Sequence, residues 1–337
     1  MKKILPIIIA LAIVIASLVI YDSLSPKADT YISYAMGSVI NTSFYGGDSE
    51  LNGKITLAIE NEERNFLSRY KDTSEIARLN AFGKFTLSPS LTEKLHTLCE
   101  ISKDSKGAFD ITIGSVTSLW NFDSEEFTPP SKQDVQAALS TVGVNNLVLG
   151  EKEAILKNGA AIDLGAAGKG IACDIAYDIL KESDVKGATI SVGGTVLTYG
   201  ESGKGMWKIG IRTPERDKTD VFMTISLPGG KFISTSGSYE KCAEYGNRLY
   251  HHIISPKTGE PVDNNLKAVT IIADSGLEAD ALSTALFVMG MEESKDILTK
   301  YNAKAVFVTQ DNTVYISEDI LQSCKLLSRD FEVKSLG

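Results

Sequence analysis

Hydrophobic residues recur at helical spacing in the first half of the chain. Apolar residues from Leu51 to Tyr70 follow one another at intervals of four or seven among Glu, Asn and Lys residues, which predicts an amphipathic helix over about 49–69. Similar spacing, together with helix start and stop signals, predicts further helices. They cover about 90–104, 131–143, 168–182, 277–289 and 292–301.

Short runs of β-branched and aromatic residues, mostly bounded by Gly, Pro or Asp, predict strands in the second half. The predicted strands are 146–149, 154–156, 188–192, 207–211, 221–227 and 231–233, with a hairpin of 305–309 and 313–317. Because strands and helices do not alternate regularly, we expect an α+β fold with a mixed or antiparallel sheet and flanking helices rather than a doubly wound parallel sheet. We expect one large domain over residues 31–330.

The N-terminus predicts a membrane-targeting segment. Two lysines precede an uncharged run from Ile4 to Ile20, which as a helix would span about 25 Å, short for a transmembrane helix and long for the core of a signal peptide. No small-x-small cleavage site follows the run. We therefore interpret residues 1–21 as an uncleaved signal-anchor in preference to a cleaved signal, and residues 22–30 as a linker. The rest of the chain would then lie at the cell membrane, outside the cytoplasm.

Charge and cysteine usage exclude two functional classes. The 337-residue chain has 34 basic and 43 acidic residues, a net charge of −9, so it has no surplus of cations to neutralise a nucleic-acid backbone. It has three histidines and four widely spaced cysteines without a CxxC pair. A zinc or iron–sulfur site is therefore not expected.

A glycine-rich turn is the first candidate for chemistry. In the segment Ala161–Gly170 a short apolar strand runs into glycines that open a helix. Backbone N–H groups and the positive helix end can bind a phosphate there, with Lys169 adding a charge. The alternative is a strand-to-helix turn that needs glycine only for backbone room.

A second candidate lies on the helix predicted at 277–289. Asp280 and Thr284 stand four residues apart and project from one face. A carboxylate and a hydroxyl form an oxygen-rich pair that suits Mg²⁺. The alternative is local, since an acidic residue in the first turn is favoured by the helix dipole and a mid-helix Thr bonds back to its own backbone.

The third candidate is the segment Tyr250–Gly259, which holds two of the three histidines. A histidine is a natural general base for a hydroxyl nucleophile. Strand alternation would place His251 and His252 on opposite faces, so one of them can serve a given site. A packed, hydrogen-bonded imidazole is the structural alternative.

Eight segments, in this order, resemble the ApbE family of FAD:protein FMN transferases, which are Mg²⁺-dependent, exported and often membrane-tethered flavinylation enzymes. The resemblance covers nearly all of residues 31–320. The matching segments are Ala35–Ser38, Asp72–Asn80, Ala108–Thr112, Asp163–Gly170, Ser191–Gly194, Thr235–Gly237, His252–Gly259 and Ala279–Thr284.

The resemblance implies a set of site residues. Those implied to line the FAD pocket are Met36, Tyr70, Ala108, Phe109, Asp110, Asp163, Lys169 and Ile254. The magnesium ion would be held by the Ala166 main-chain carbonyl with the Asp280 and Thr284 side chains. This sequence departs from the family pattern at Ser255, where the family usually has Asp, and at Thr195, where Asn or Asp is frequent.

The activity implied is transfer of FMN from FAD to a Thr or Ser hydroxyl of an acceptor protein, an exported or membrane redox subunit, with release of AMP. We take His252 as the candidate base and His251 as the alternative. If water replaces the hydroxyl, the same site is a Mg²⁺-dependent FAD pyrophosphatase. The resemblance places an aromatic residue at Tyr70 in transferases, which favours transfer. A further hypothesis is a membrane-tethered protein that binds flavin without catalysis.

Overall fold

The computed structural model describes residues 28–337 except positions 123, 125, 152 and 204. The predicted signal-anchor and most of the predicted linker lie outside the described residues, so both stay predictions. Among the residues that are described, no helix has the length and apolar character needed to cross a membrane.

The described chain alternates irregularly between strands and helices. The strands are β1 Asp29–Ala35, β2 Ser38–Tyr45, β3 Lys84–Thr86, β4 Leu147–Leu149, β5 Glu153–Leu156, β6 Gly187–Val192, β7 Thr195–Gly200, β8 Trp207–Arg212, β9 Val221–Leu227, β10 Lys231–Gly237, β11 Cys242–Tyr245, β12 Arg248–His251, β13 Leu266–Ala273, β14 Lys304–Thr309, β15 Thr313–Ile316, β16 Cys324–Leu326 and β17 Glu332–Ser335. The α-helices are α1 Ser49–Glu62, α2 Glu75–Phe82, α3 Pro89–Asp104, α4 Gly114–Trp120, α5 Lys132–Leu139, α6 Gly168–Lys181, α7 Gly276–Met289, α8 Lys295–Lys300 and α9 Glu318–Leu321.

One nine-stranded sheet organises the molecule, in the order β1-β2-β6-β7-β10-β13-β14-β15-β17. Neighbouring strands are antiparallel except β15 and β17, which are parallel. The predicted α+β class with a mixed sheet is therefore confirmed. The sheet takes in residues from Asp29 to Ser335 and so extends slightly beyond the expected span of 31–330.

Strand β13 shows how the sheet separates two hydrophobic cores. Val269, Ile271 and Ala273 face a core that also contains residues of α1, α3, α6 and α7. The alternating residues Ala268 and Ile272 face a second core, shared with the three-stranded sheet β16-β9-β8. Since side chains alternate along a strand, a strand covered on both faces is apolar at nearly every position, as β13 is.

The structure corrects several predicted element bounds. The helix predicted over 49–69 is α-helical only to Glu62, and a π-helical turn follows at Glu63–Leu67, closed by the Ser68 N–H donating to the Glu63 carbonyl at 3.0 Å. Residues after this turn therefore leave the helix. The helix predicted over 131–143 ends at Leu139. The strand predicted over 231–233 continues to Gly237 through Ser and Thr residues.

Helices α6 and α7 meet at two glycines. A methyl group added at Gly170 would stand 1.9 Å from the Gly276 carbonyl oxygen, and one added at Gly276 would stand 2.2 Å from the Gly170 carbonyl oxygen. Neither position has room for a side chain, so the two backbones are in direct contact. This contact brings the glycine-rich turn before α6 beside the helix that carries Asp280.

We predict that Gly170→Ala separates α6 from α7 and lowers the free energy of unfolding by about 3 kcal/mol or more, since the added carbon meets backbone atoms that cannot rotate away. The matched control is Gly53→Ala in α1, where no atom lies within 4 Å of the added methyl. That variant should gain about 0.5–1 kcal/mol. Urea denaturation of both variants checks the pair, and equal stabilities would contradict the close contact.

Candidate active site

Asp280 is a buried carboxylate at the α6–α7 contact. Its side chain is 3% exposed. Oδ2 accepts the backbone N–H of Gly170 at 3.0 Å, and Oδ1 accepts the hydroxyls of Ser234 at 2.9 Å and Thr195 at 3.3 Å. A buried carboxylate needs such donors because its charge is costly away from water. The bonds fix the carboxylate between α6, β7 and β10.

Thr284 lies one turn after Asp280 and faces the same strand. Its hydroxyl is 3.1 Å from the hydroxyl of Ser236, which in turn is 2.8 Å from that of Ser283. Ser234 and Ser236 stand two apart in β10 and therefore point to one face of the sheet. Asp280 and Thr284 thus border a cluster of hydroxyl oxygens.

The glycine-rich turn is held by Asp163. Its Oδ2 accepts Arg69 Nη1 at 2.7 Å and the Thr117 hydroxyl at 2.6 Å, and its Oδ1 accepts the N–H of Gly165 at 2.9 Å. The structure therefore uses this carboxylate to position the turn. Ala166 follows in the turn and is partly exposed.

Lys169 extends from the start of α6 to the β6–β7 turn. Its Cδ lies 3.1 Å from where a methyl group at Gly193 would stand, and its Nζ lies 3.9 Å from the corresponding position at Gly194. Ser38, the first residue of β2, also borders Gly193, with its Oγ 3.2 Å from the same point. A side chain at Gly193 or Gly194 would fill the space beside Lys169. With glycine at both positions this space stays open.

His252 follows β12 directly and is half-buried. Its Nδ1 is buried without a hydrogen-bond partner among the described residues. Burial, the Lys169 ammonium and His251 together lower the pKa of His252 to about 4. The imidazole is therefore neutral near pH 7 and can accept a proton.

His251 has a different environment. Its Nε2 lies 2.8 Å from the Val262 carbonyl oxygen and its Nδ1 accepts the N–H of Ile253 at 3.3 Å. A carbonyl can only accept, so Nε2 carries the proton and both ring nitrogens are engaged. Of the two histidines, His252 is the one whose ring is available to a ligand.

Met36 occupies a strained position in the two-residue turn between β1 and β2. Its φ is 54°, in the left-handed region that methionine rarely adopts. The Met36 N–H donates to the Glu63 carboxylate at 3.2 Å, and its Cε lies 3.2 Å from where a methyl group at Gly168 would stand. The turn therefore places the thioether against the first residue of α6. It also borders an open cleft of about 550 Å³.

The remaining residues of the expected FAD pocket differ in exposure. Tyr70 is 83% exposed, and the Arg69 guanidinium carbon lies 4.9 Å from its ring centroid. Ala108 and Phe109 are buried. Asp110 is also buried, and its Oδ1 accepts both the N–H and the hydroxyl of Thr112, at 2.8 and 2.6 Å.

Ile254 belongs to a small satellite core with Val116 and Trp120. The described contacts place Met36, Asp163, Lys169, His252 and Asp280 around the α6 N-terminus. Ala166 lies in the turn before α6, and Thr284 lies one turn after Asp280 in α7. Tyr70 stands at the surface, and Ala108, Phe109, Asp110 and Ile254 pack inside.

Sequence reasoning missed Glu240 as a site residue. Its Oε1 lies 3.4 Å from where a methyl group at Gly194 would stand, close to Lys169. Glu240 remains exposed, but the surrounding protein atoms remove part of the hydration of its carboxylate and so raise its pKa, while Lys169 and Arg212 oppose the shift. Sequence reasoning also missed Ser234 as a partner of Asp280. If β10 is extended to Gly237, the alternation of Ser234 and Ser236 indicates that both hydroxyls lie on one face of the strand.

The donor set suits a hard divalent cation. Among the described residues no group of three or more His, Cys, Asp or Glu side chains could hold a metal ion. The candidate set contains one carboxylate, one hydroxyl and one main-chain carbonyl, all oxygen. Mg²⁺ accepts such a set because it keeps several waters or substrate oxygens as ligands. The residues present therefore fit the ion.

Comparison with known proteins gives a consistent result. The model of the ApbE family matches residues 36–307. The FAD:protein FMN transferase of Escherichia coli strain K12 is 30% identical over 291 residues, which is 82% of each chain. That of Klebsiella pneumoniae strain 342 is 29% identical over 295 residues, 86% of this chain and 91% of the relative.

Two solved structures share the fold along nearly their whole length. The ApbE protein of Thermotoga maritima superposes with a TM-score of 0.79 at 28% identity, covering 88% of this chain and 99% of that one. The flavinyl transferase ApbE of Pseudomonas stutzeri gives a TM-score of 0.76 at 27% identity, with 88% and 96% covered. Because the family model spans residues 36–307 and a relative is 30% identical over 82% of each chain, this chain belongs to the ApbE family.

Proposed function

We propose that this protein transfers FMN from FAD to a Thr or Ser hydroxyl of an acceptor protein and releases AMP. The observation that carries the proposal is the convergence of Asp280, Lys169 and a neutral His252 at the N-terminus of α6, with Thr284 one turn after Asp280 on α7. A diphosphate needs cationic and N–H groups, and a hydroxyl nucleophile needs a base. The names of the relatives support this reaction over other uses of such a site.

In this reaction the acceptor oxygen forms a bond to the FMN-side phosphorus, and the bond from that phosphorus to the bridging oxygen breaks. His252 takes the hydroxyl proton, and AMP leaves with the bridging oxygen. Lys169 and the N–H groups of the α6 turn offset charge on the phosphate oxygens. In phosphoryl transfer, positioning of the reactants and stabilisation of charge account for most of the lowering of the activation barrier.

Ala166, through its carbonyl, and the side chains of Asp280 and Thr284 would hold Mg²⁺. When bound, the ion supplies a positive charge that polarises the diphosphate and offsets the charge developing on AMP. The bonds from Gly170, Ser234 and Thr195 hold the Asp280 carboxylate ready in one orientation. The adjacent hydroxyls of Ser236 and Ser283 would offer further polar partners to water molecules bound by the ion.

The direct test incubates the protein with FAD, Mg²⁺ and a Thr-containing acceptor peptide, followed by mass spectrometry. We expect the peptide to gain the mass of one FMN, with an equal amount of AMP, and a chelator or Asp280→Ala to stop the reaction. Asp178→Ala, which removes an exposed carboxylate of α6 paired with Lys181, is the control that should react normally. Free FMN with an unmodified peptide would identify a pyrophosphatase instead, and intact FAD a binding protein.

His252→Ala should slow transfer by about 10²- to 10⁴-fold, the usual contribution of a general base, while FAD still binds. Single-turnover kinetics measure the rate, and flavin fluorescence measures binding. His96→Ala replaces an exposed histidine of α3 and should leave both unchanged. A wild-type rate in His252→Ala would show that another group takes the proton.

The pKa of His252 should depend on Lys169. Since the ammonium disfavours the protonated imidazole, Lys169→Met should raise the pKa of His252 from about 4 towards its ordinary value of about 6.5. NMR titration of the His252 ring resonance measures the midpoint. As a control, Lys257→Met removes an exposed lysine five residues after His252 and should leave the titration midpoint of His252 unchanged. An unchanged midpoint in Lys169→Met would mean that the two side chains do not interact.

A further inference from the structure

Helices α6 and α7 each carry a carboxylate that accepts backbone N–H groups of the other helix. Near the start of α6 the N–H of Gly170 donates to Asp280 Oδ2 on α7 at 3.0 Å. At the start of α7 the N–H groups of Gly276 and Leu277 donate to Oδ1 and Oδ2 of Asp174 on α6, at 2.7 and 2.8 Å. Each helix therefore presents N-terminal N–H groups to a carboxylate of the other helix.

Helix α7 also has a cap of its own. The Ser275 hydroxyl oxygen accepts the N–H of Glu278 at 3.4 Å, in the usual N-cap arrangement. A local cap stabilises a helix wherever that helix lies. Asp174 adds two bonds from a different helix, so these bonds also depend on the position of α7 relative to α6.

Asp174 is partly buried where it accepts these bonds. Burial raises its pKa, with a smaller contribution from Asp178, while the N–H groups of Gly276 and Leu277 and the Ser275 hydroxyl lower it. A carboxylate at a helix N-terminus is further favoured by the helix dipole. The two backbones touch at Gly170 and Gly276, and the bonds to Asp174 and Asp280 would break if one helix slid along the other.

Sliding of α7 would displace the candidate metal ligands. Asp280 lies one turn after Gly276 and Thr284 one turn further, so both move with the helix. The Ala166 carbonyl lies in the turn that opens α6 and does not move with α7. The relative position of the two helices therefore sets the distances among the three ligands.

We propose that Asp174 is a positioning residue for the divalent cation, because it fixes α7 against α6 and so places Asp280 and Thr284 beside the turn that holds Ala166. This role rests on the function proposed above. Asp174 is not one of the three proposed ligands, so its role is to position the residues that are.

The test measures Mn²⁺ binding to the full-length protein by EPR titration, at a temperature where every variant is folded. Asp174→Ala should raise the Kd for Mn²⁺ by about 10- to 100-fold, as replacing groups that orient metal ligands usually does. In the transfer assay the Mg²⁺ concentration for half-maximal rate should rise in parallel, while the rate at saturating Mg²⁺ falls much less. Asp174→Asn keeps the shape and one acceptor oxygen, and it provides the same comparison if the Ala variant does not fold.

Two controls separate positioning from general destabilisation. Leu180→Ala removes a fully buried side chain at the other end of α6 and should lower stability while leaving the Kd for Mn²⁺ unchanged. A wild-type Kd in both Asp174 variants, or an equal loss in Leu180→Ala, would overturn the inference. Asp280→Ala tests the metal site itself: if it leaves the Kd unchanged, the proposed metal site fails, not only the role of Asp174.

Discussion

The buried carboxylate of Asp280 is the constraint on which the site depends. It accepts one backbone N–H and two hydroxyls, which come from α6, β10 and β7. A carboxylate buried without hydrogen-bond donors costs much free energy. The fold therefore favours the arrangement of α6, β7 and β10 in which their donors reach Asp280. The same side chain is the anionic member of the candidate magnesium site. A single group therefore connects the stability of the helix–sheet contact to the proposed chemistry.

Close backbone contact makes this arrangement possible. At Gly170 and Gly276 the helices approach until no side chain fits between them. The N–H of Gly170 can then reach Asp280, and Asp174 can reach the start of α7. Each of these bonds joins the start of one helix to a carboxylate further along the other, and because hydrogen bonds are directional, the bonds restrict how α7 can shift against α6 more sharply than a hydrophobic contact would.

The electrostatics of the site favour a neutral base beside a cation. Lys169 and burial act in the same direction on His252 and keep its imidazole unprotonated. Glu240 and Lys169 both lie within 4 Å of the methyl position at Gly194, so the lysine has an opposite charge nearby. A diphosphate would enter a region where the Lys169 ammonium is already in position. Membership of the ApbE family agrees with such a substrate.

Patterns along the chain were enough to predict the fold class, most of the helices and the segments of the candidate site. Helical spacing, the glycine-rich turn and the pair Asp280 and Thr284 depend on local periodicity, which a single chain displays directly. These patterns did not reveal the polar continuation of β10, the π-helical turn after α1, or the roles of Asp163 and Asp174. These roles depend on partners up to 103 residues away, such as Leu277 for Asp174. Which carboxylates accept backbone N–H groups, and which histidine keeps a ring nitrogen without a partner, became clear from the folded arrangement, because hydrogen bonding and burial are set by neighbours in space.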